Sequence, residues 1–339
     1  MKLKRGVLAK RGSLVFISLL LSWVLGEAQD RKLRPLHVSY SSQSGTRAPL
    51  WIAKDARIFE KYGLDVSLTR IASGSASYSA LLGGNTQIVS DTASAAVAAG
   101  ARAPIVIFAG SGPIAYKLVA HPSITSIEGL KGKIVGSSFV GAGSDYLLRQ
   151  LLPKLGLIPG KDVTLIPTGL GESDKRLMVM FHGRIDATLA TEDNLLQMEL
   201  KGQKISVLAD FIEMGVYTTG GDFATTRQFL SEQRKWVKAF LMALSEGIWL
   251  GRTNQEMAFQ VFRKYLGVEH PKLLESMHKN YLLGTIPQKP YPLEAAVEIA
   301  IDEVSLTQPL VKGRKPADFI DVSILKEIES EGFFARLQR

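Results

Sequence analysis

The chain contains no cysteine. That excludes a disulfide framework, a thiolate metal site, a cysteine nucleophile and a lipid-modified N-terminal cysteine. Histidine is sparse as well. His37, His121, His182, His270 and His278 are scattered, with no HExxH pair, so neither a metal nor another cofactor is expected. Nucleotide signatures are missing too: VGAGSD lacks the GK[ST] ending of a phosphate-binding loop and is not a GxGxxG fingerprint. No GxSxG elbow marks a hydrolase of that class. Beyond the first 30 residues no apolar run reaches the roughly 20 residues that a membrane-spanning helix needs. Acidic charge is in the minority, with 32 Asp and Glu against 41 Lys and Arg, for a net charge of +9. The first 28 residues carry +4 of it. The remaining +5 suits an anionic ligand and is too weak to argue for nucleic acid.

What is present describes a folded chain. At 339 residues, 46% hydrophobic and 22% charged, it is long enough for one large domain or two ordinary ones. Residues 1–28 read as a secretory signal. A basic stretch precedes the apolar run 14–25, and Gly26 and Ala28 stand at −3 and −1 of a cut before Gln29. An uncleaved N-terminal anchor is the alternative. The mature protein is expected in a periplasm-like compartment.

After the signal, short apolar runs alternate with amphipathic stretches, the pattern of mostly parallel sheets covered by helices. Strands are expected at 36–41, 64–72, 86–90 and 103–110, with helices at 49–63, 77–82 and 93–100. One face of the first helix is expected to gather Leu50, Ala53, Ile58 and Phe59. The pattern restarts with strands at 133–139, 163–168, 185–191 and 205–211 and helices from 145 and 175. Pro153 should kink or end the first of these two helices. Beyond residue 217 the chain reads as largely helical, with Leu230, Val237, Phe240, Leu241, Leu244 and Ile248 as a buried face. Each half has few strands, so two modest α/β units fit better than one long sheet.

Open α/β sheets bind ligands beyond the carboxyl ends of their strands. Four such ends carry small polar residues: SSQSGT (41–46), ASGSAS (72–77), SDTAS (90–94) and SSFVGAGSD (137–145). Gly141 and Gly143 would let backbone approach a ligand. Ser144 or Asp145 would begin a helix whose free N–H groups favour an oxyanion, or Ser144 would be a plain N-cap. In ATEDN (190–194), Glu192 and Asp193 read as a helix start or a ligand-orienting contact. Trp51, Trp236 and Trp249 read as packing, and His182 as decoration of a helix end.

Several phrases together carry a resemblance: APLWIAKDARIFEKYGLDVSL, AAVAAGARAPIVIFAG, IEGLKGKIVGSSFVGAGSDYLLRQLLPKLGLIPGKDVTLIPTG, HGRIDATLATED and ADFIDVSILKEI. In this order the chain resembles the periplasmic solute-binding proteins of ABC importers of the nitrate/sulfonate/taurine type, the SsuA/THI5-like or NMT1-like group. The resemblance runs from about residue 36 to 334. It implies a type II periplasmic-binding fold, two α/β lobes with two hinge crossings and a ligand cleft between them. Lobe 1 would comprise 33–114 and 219–339, and lobe 2 would be 115–218. A monomer that delivers a small molecule to an ABC permease and its ATPase is implied.

Ser42, Gln43, Ser75, Thr92 and Ser94 would then face Ser138, Gly143, Ser144, Thr191 and Glu192 across the cleft. Arg47 is the only cation evident in these loops, so a monoanion or polar aromatic solute is expected rather than a doubly charged anion. An enzyme on the same fold, with Glu192, Asp193 or Asp91 as acid or base, is the alternative. A ligand-sensing receptor without a transporter is a third reading. The cysteine-dependent pyrimidine-synthase relatives of this fold are disfavoured by the absence of cysteine and by the export signal.

Overall fold

A computed structural model describes residues 32–140, 142–216 and 218–338. Residues 1–28, expected to be a secretory signal, and Gly141 lie outside the described residues.

The first sheet contains β1 (Arg34–Tyr40), β2 (Leu64–Arg70), β3 (Ile88–Asp91) and β4 (Ile105–Ala109). β5 (Pro113–Ile114) then leads to the second sheet. That sheet contains β6 (Lys117–Ala120), β7 (Ile134–Ser137), β8 (Thr164–Pro167), β9 (Ala187–Ala190) and β10 (Ser206–Asp210). β11 (Thr218–Thr219) pairs antiparallel with β5, and β12 (Asp222–Thr226) re-enters the first sheet. The expected pair of α/β lobes is therefore present.

Strand order reveals a duplication. The first sheet runs β2-β1-β3-β12-β4 and the second, read from its other edge, runs β8-β7-β9-β6-β10. In each, three parallel strands are followed by one antiparallel strand, β12 or β6, which the chain reaches just after passing between the sheets. Within these two sheets, β12 and β6 are the strands that the periodicity did not indicate; the two-residue strands β5 and β11 were not indicated either. Asp222–Thr226 reads DFATT, too polar for a buried run, yet four of its five residues are buried. Lys117–Ala120 is four residues long. β4, by contrast, is buried throughout, as its unbroken IVIFA run requires.

The expected helix over 49–63 is two: Ala48–Asp55 and Ile58–Lys61, separated at Arg57, whose φ is 56°. At about 100° per residue, one continuous helix would set Phe59 opposite Leu50. The left-handed step at Arg57 turns Phe59 inward, where its ring stacks on Phe240 at 5.4 Å. Trp51 is fully buried and stacks on Tyr265 at 4.7 Å. The helix Gly143–Lys154 ends one residue past Pro153. ADFIDVSILKEI returns to the edge of the first sheet, where the Ile107 N–H donates to Phe319 O. It then forms the helix Ser323–Ser330, which buries Ile324, Leu325 and Ile328. Among the described residues no helix is long and apolar enough to cross a membrane.

Candidate functional site

Polar strand ends from both sheets converge on a cavity of about 420 Å³. The first sheet brings Ser42 after β1, Asp91 and Thr92 at the end of β3, and the start of the helix Gly74–Leu82. The second sheet brings Ser138 after β7 and the start of the helix Gly143–Lys154. Tyr116, Thr218 and Gly220 line it from the two crossings. The Thr92 hydroxyl caps the helix Ala93–Gly100 by accepting from the Ala95 N–H at 3.2 Å. The N-terminal ends of three helices thus border one space, each with backbone N–H groups that its own helix leaves free.

Ser144 is not an N-cap. Ala142 occupies that position, and the Ser144 hydroxyl reaches back to accept from the Ser138 N–H at 2.9 Å, with the two hydroxyls 2.6 Å apart. This pair ties the end of β7 to the start of the helix Gly143–Lys154. Opposite it stands Thr92: a Cβ added at Gly143 would lie 3.2 Å from the Thr92 Cγ2. The sheets therefore approach each other closely there.

Behind the cavity wall, around Asp91, lies a buried charged cluster. Arg47 is buried, and its guanidinium donates to Gly220 O, to Ser90 O at 3.2 Å and to the Ser42 hydroxyl at 3.3 Å. Burial lowers it to about 10, against the opposing pull of Asp91 and Asp222. It ties β1, β3 and the second crossing together, with both terminal nitrogens engaged by protein oxygens and only Nε unpartnered, so it is no bidentate clamp for an anion. Burial raises Asp222 to about 7. Both its oxygens are occupied, by the Thr219 hydroxyl at 2.6 Å and the Ser111 N–H at 3.1 Å. Burial also raises Asp91, whose Oδ1 accepts from the Thr92 N–H at 2.8 Å.

Sequence reasoning missed a second arginine. Arg176 lines the cavity from the other sheet and donates to Leu170 O and Gly171 O, both at 2.9 Å, and to the Ser173 hydroxyl at 2.8 Å. Tyr78, Tyr116 and Tyr146 were also missed. An arginine on a helix is ordinarily exposed, so nothing in SDKRLM signalled its burial.

A second cavity of about 390 Å³ lies beyond Ser42, Ile114, Tyr116 and Gly171, which line both spaces. Of the ten expected ligand residues, Ser42, Ser75, Thr92, Ser138, Gly143 and Ser144 line the first cavity. Gln43 and Thr191 line the second, as Ser42 also does. Ser94 and Glu192 line neither. The Ser94 hydroxyl donates to Glu303 at 2.6 Å in the interior, and the exposed Glu192 pairs with Lys117 at 3.3 Å. Thr191 begins the helix Glu192–Leu200 in a capping box with Asn194. Asp193 is buried and accepts from Asn280 at 3.1 Å and from Ser276 at 3.3 Å. Glu172, just before the helix Ser173–Phe181, forms an ion pair with Arg70 at the end of β2. Both contacts join elements associated with opposite sheets. His182 ends a helix and is exposed, its Nδ1 2.6 Å from Met178 O. Among the described residues no cluster of three or more His, Asp or Glu could hold a metal ion.

Comparison with known proteins gives a coherent picture. The NMT1/THI5-like family model matches residues 45–258. The chain is similar to the periplasmic aliphatic sulphonate binding protein SsuA from Escherichia coli, with a TM-score of 0.66 and 21% identity, covering 84% of this chain and 95% of that one. It is similar to the periplasmic nitrate-binding protein NrtA from Synechocystis PCC 6803, with a TM-score of 0.70 and 16% identity over 90% and 91% of the two chains. The alkanesulfonate-binding protein SsuA from Xanthomonas axonopodis pv. citri, bound to MOPS, gives 0.68 and 20% over 86% and 99%. A search of curated proteins found no match.

Proposed function

Because the chain belongs to the NMT1/THI5-like family, we propose that it is the extracytoplasmic solute-binding component of an ABC importer. It captures a small polar or anionic organic solute by closing two lobes upon it and hands the solute, chemically unaltered, to a permease. The observation that carries this reading is the cavity of about 420 Å³ lined by strand ends of both sheets. The volume is in the range of small-molecule sites. In this reading residues 33–114 with 219–339 form lobe 1 and residues 115–218 form lobe 2. The β5–β11 ribbon is the hinge. Ser42, Ser75, Thr92, Ser138, Gly143 and Ser144 contact the solute, while Gln43 and Thr191 serve the adjoining space. The protein acts as a monomer in the periplasm after removal of residues 1–28.

Closure is a population shift: a solute that contacts both lobes favours the state in which they meet. It also stabilises the folded chain by RT ln(1 + [L]/Kd), about 2.7 kcal/mol at a hundredfold excess over Kd. A thermal-shift screen of sulfonates, nitrate, taurine, pyrimidines and aromatic carboxylates tests the proposal. Compounds that raise the melting temperature of the parent should fail to do so after Thr92→Trp or Ser138→Trp, which fill the cavity. Undiminished stabilisation in both variants would place the solute elsewhere.

A further inference from the structure

Beside the second cavity, a buried carboxyl group joins elements of the two sheets. Asp193 stands in the first turn of the helix that follows β9 and is 7% exposed. Its Oδ1 accepts from the Asn280 amide at 3.1 Å and from the Ser276 hydroxyl at 3.3 Å. The Tyr281 hydroxyl approaches the same carboxyl group. These partners lie in the helix Pro271–Met277 and in the π-helical segment His278–Thr285 that continues it. Short π-helical turns are rare and occur mostly at functional sites. Gly45 leaves room for the Tyr281 ring, which a Cβ there would overlap. Three residues after Asp193, Leu196 packs into the apolar cluster of Trp51, Leu273 and Met277. A polar and an apolar contact thus join one helix of the second sheet to helices beside the first.

Every partner of Asp193 is neutral. On its own helix the neighbouring charge is Glu192, which pairs with Lys117 at 3.3 Å. The loop after β1 brings the uncharged Gln43 and Ser44 to this cavity. Across it stand Glu172, Asp174 and Lys175, and Lys175 pairs with Glu172 at 3.5 Å. Burial pushes the Asp193 carboxyl up, and its hydrogen bonds with Tyr281, Asn280 and Ser276 offset only part of that. When the two elements part, the carboxyl regains water and its ordinary behaviour.

We propose that Asp193 is a pH-sensitive latch, which holds the two lobes together before any solute arrives and which acid tightens. This regulates the solute-capture site and rests on that reading. Below the usual carboxyl value of 3.8, open and closed forms both carry the proton and the latch has its full strength. Between that value and the raised value of the closed form, only the closed form keeps the proton. The closed fraction therefore falls as pH rises, by up to about tenfold per pH unit. Above both values the group is ionised in either form and the latch is weakest. Solute contacts then supply the rest of closure, whereas a tightened latch removes part of that cost in advance.

Small-angle X-ray scattering of the solute-free full chain from about pH 4.5 to about pH 8 tests the latch, with Asp193→Asn and Asp193→Ala beside the parent. The amide keeps the acceptor oxygen and cannot ionise, whereas alanine removes the acceptor. The radius of gyration of the parent should grow with pH. Asp193→Asn should stay compact throughout, and Asp193→Ala should be expanded throughout. The Arg70–Glu172 ion pair responds to pH alike in all three, so the differences isolate Asp193. Calorimetry with a compound found by the thermal-shift screen gives a second reading. The affinity of Asp193→Asn relative to the parent should rise about tenfold across the same range. Should Asp193→Ala fail to fold, the parent and Asp193→Asn decide the matter alone. Equal pH responses in those two, or no response in either, overturn the latch and leave solute capture standing. The full latch response with no screened compound bound overturns the capture reading instead.

Discussion

Glu303 offers a prediction whose size follows from its surroundings. It lies on the helix Glu294–Ser305, is 1% exposed and accepts one hydrogen bond at Oε2, from Ser94 at 2.6 Å, while Oε1 has no partner. Burial, with a smaller contribution from Asp302, raises its carboxyl from 4.5 to about 7. Below pH 4.5 both folded and unfolded chains hold the proton, and the group adds no pH dependence. Between 4.5 and 7 the unfolded chain has released the proton and the folded chain retains it. Stability therefore falls as pH rises, by about 1.4 kcal/mol per pH unit. Above 7 both forms are ionised and the full loss, about 3 kcal/mol, is present.

Glu303→Gln removes this titration. The amide keeps the Ser94 contact and places an unpaired N–H donor where Oε1 stands, a cost of about 1–3 kcal/mol that does not vary with pH. Urea unfolding of parent and variant at intervals from about pH 5 to about pH 9 isolates the effect, because Asp222 and Asp91 titrate in both proteins. The difference in stability should shift by about 3 kcal/mol in favour of the variant across that range. A difference that stays constant with pH would refute the reasoning.

Three further outcomes follow from packing and charge. Gly143→Leu places a side chain against Thr92, so solute affinity should fall at least about tenfold while solute-free stability changes by less than about 1 kcal/mol; calorimetry and urea unfolding separate the two. Glu172→Gln breaks the ion pair with Arg70, and as Arg70 is partly exposed the loss should be about 1 kcal/mol, read as roughly fivefold weaker solute binding with little change in melting temperature. Trp51→Ala removes a fully buried ring from its stack on Tyr265 and should cost about 3–5 kcal/mol in urea unfolding.

The parts of the fold legible in the sequence were those in which burial and periodicity agree. IVIFA could only be an interior strand, and ASAAVAAG forms the helix over the residues expected for it. The strands β6 and β12 escaped because they owe their place to the crossings between the sheets, a tertiary cause with no local signature. The break at Arg57 escaped for a similar reason: only the stacking of Phe59 on Phe240 demands it. At the site, small polar residues at strand ends pointed to the correct loops. They could not show that Ser94 turns inward to Glu303, that Glu192 turns outward to Lys117, or that Arg47 and Arg176 are spent on backbone carbonyls. Those outcomes depend on which way a side chain leaves its helix or loop, and that is set by packing against residues far away in sequence.

The account's central claim is that two lobes close around a solute. The absence of cysteine makes a direct measurement simple, since Asn85→Cys and Lys161→Cys place one dye on an exposed position beside each sheet. Transfer efficiency between the dyes should rise when a solute identified by the thermal-shift screen is added and fall again on its removal. Efficiency that does not change while calorimetry records saturated binding would contradict the claim.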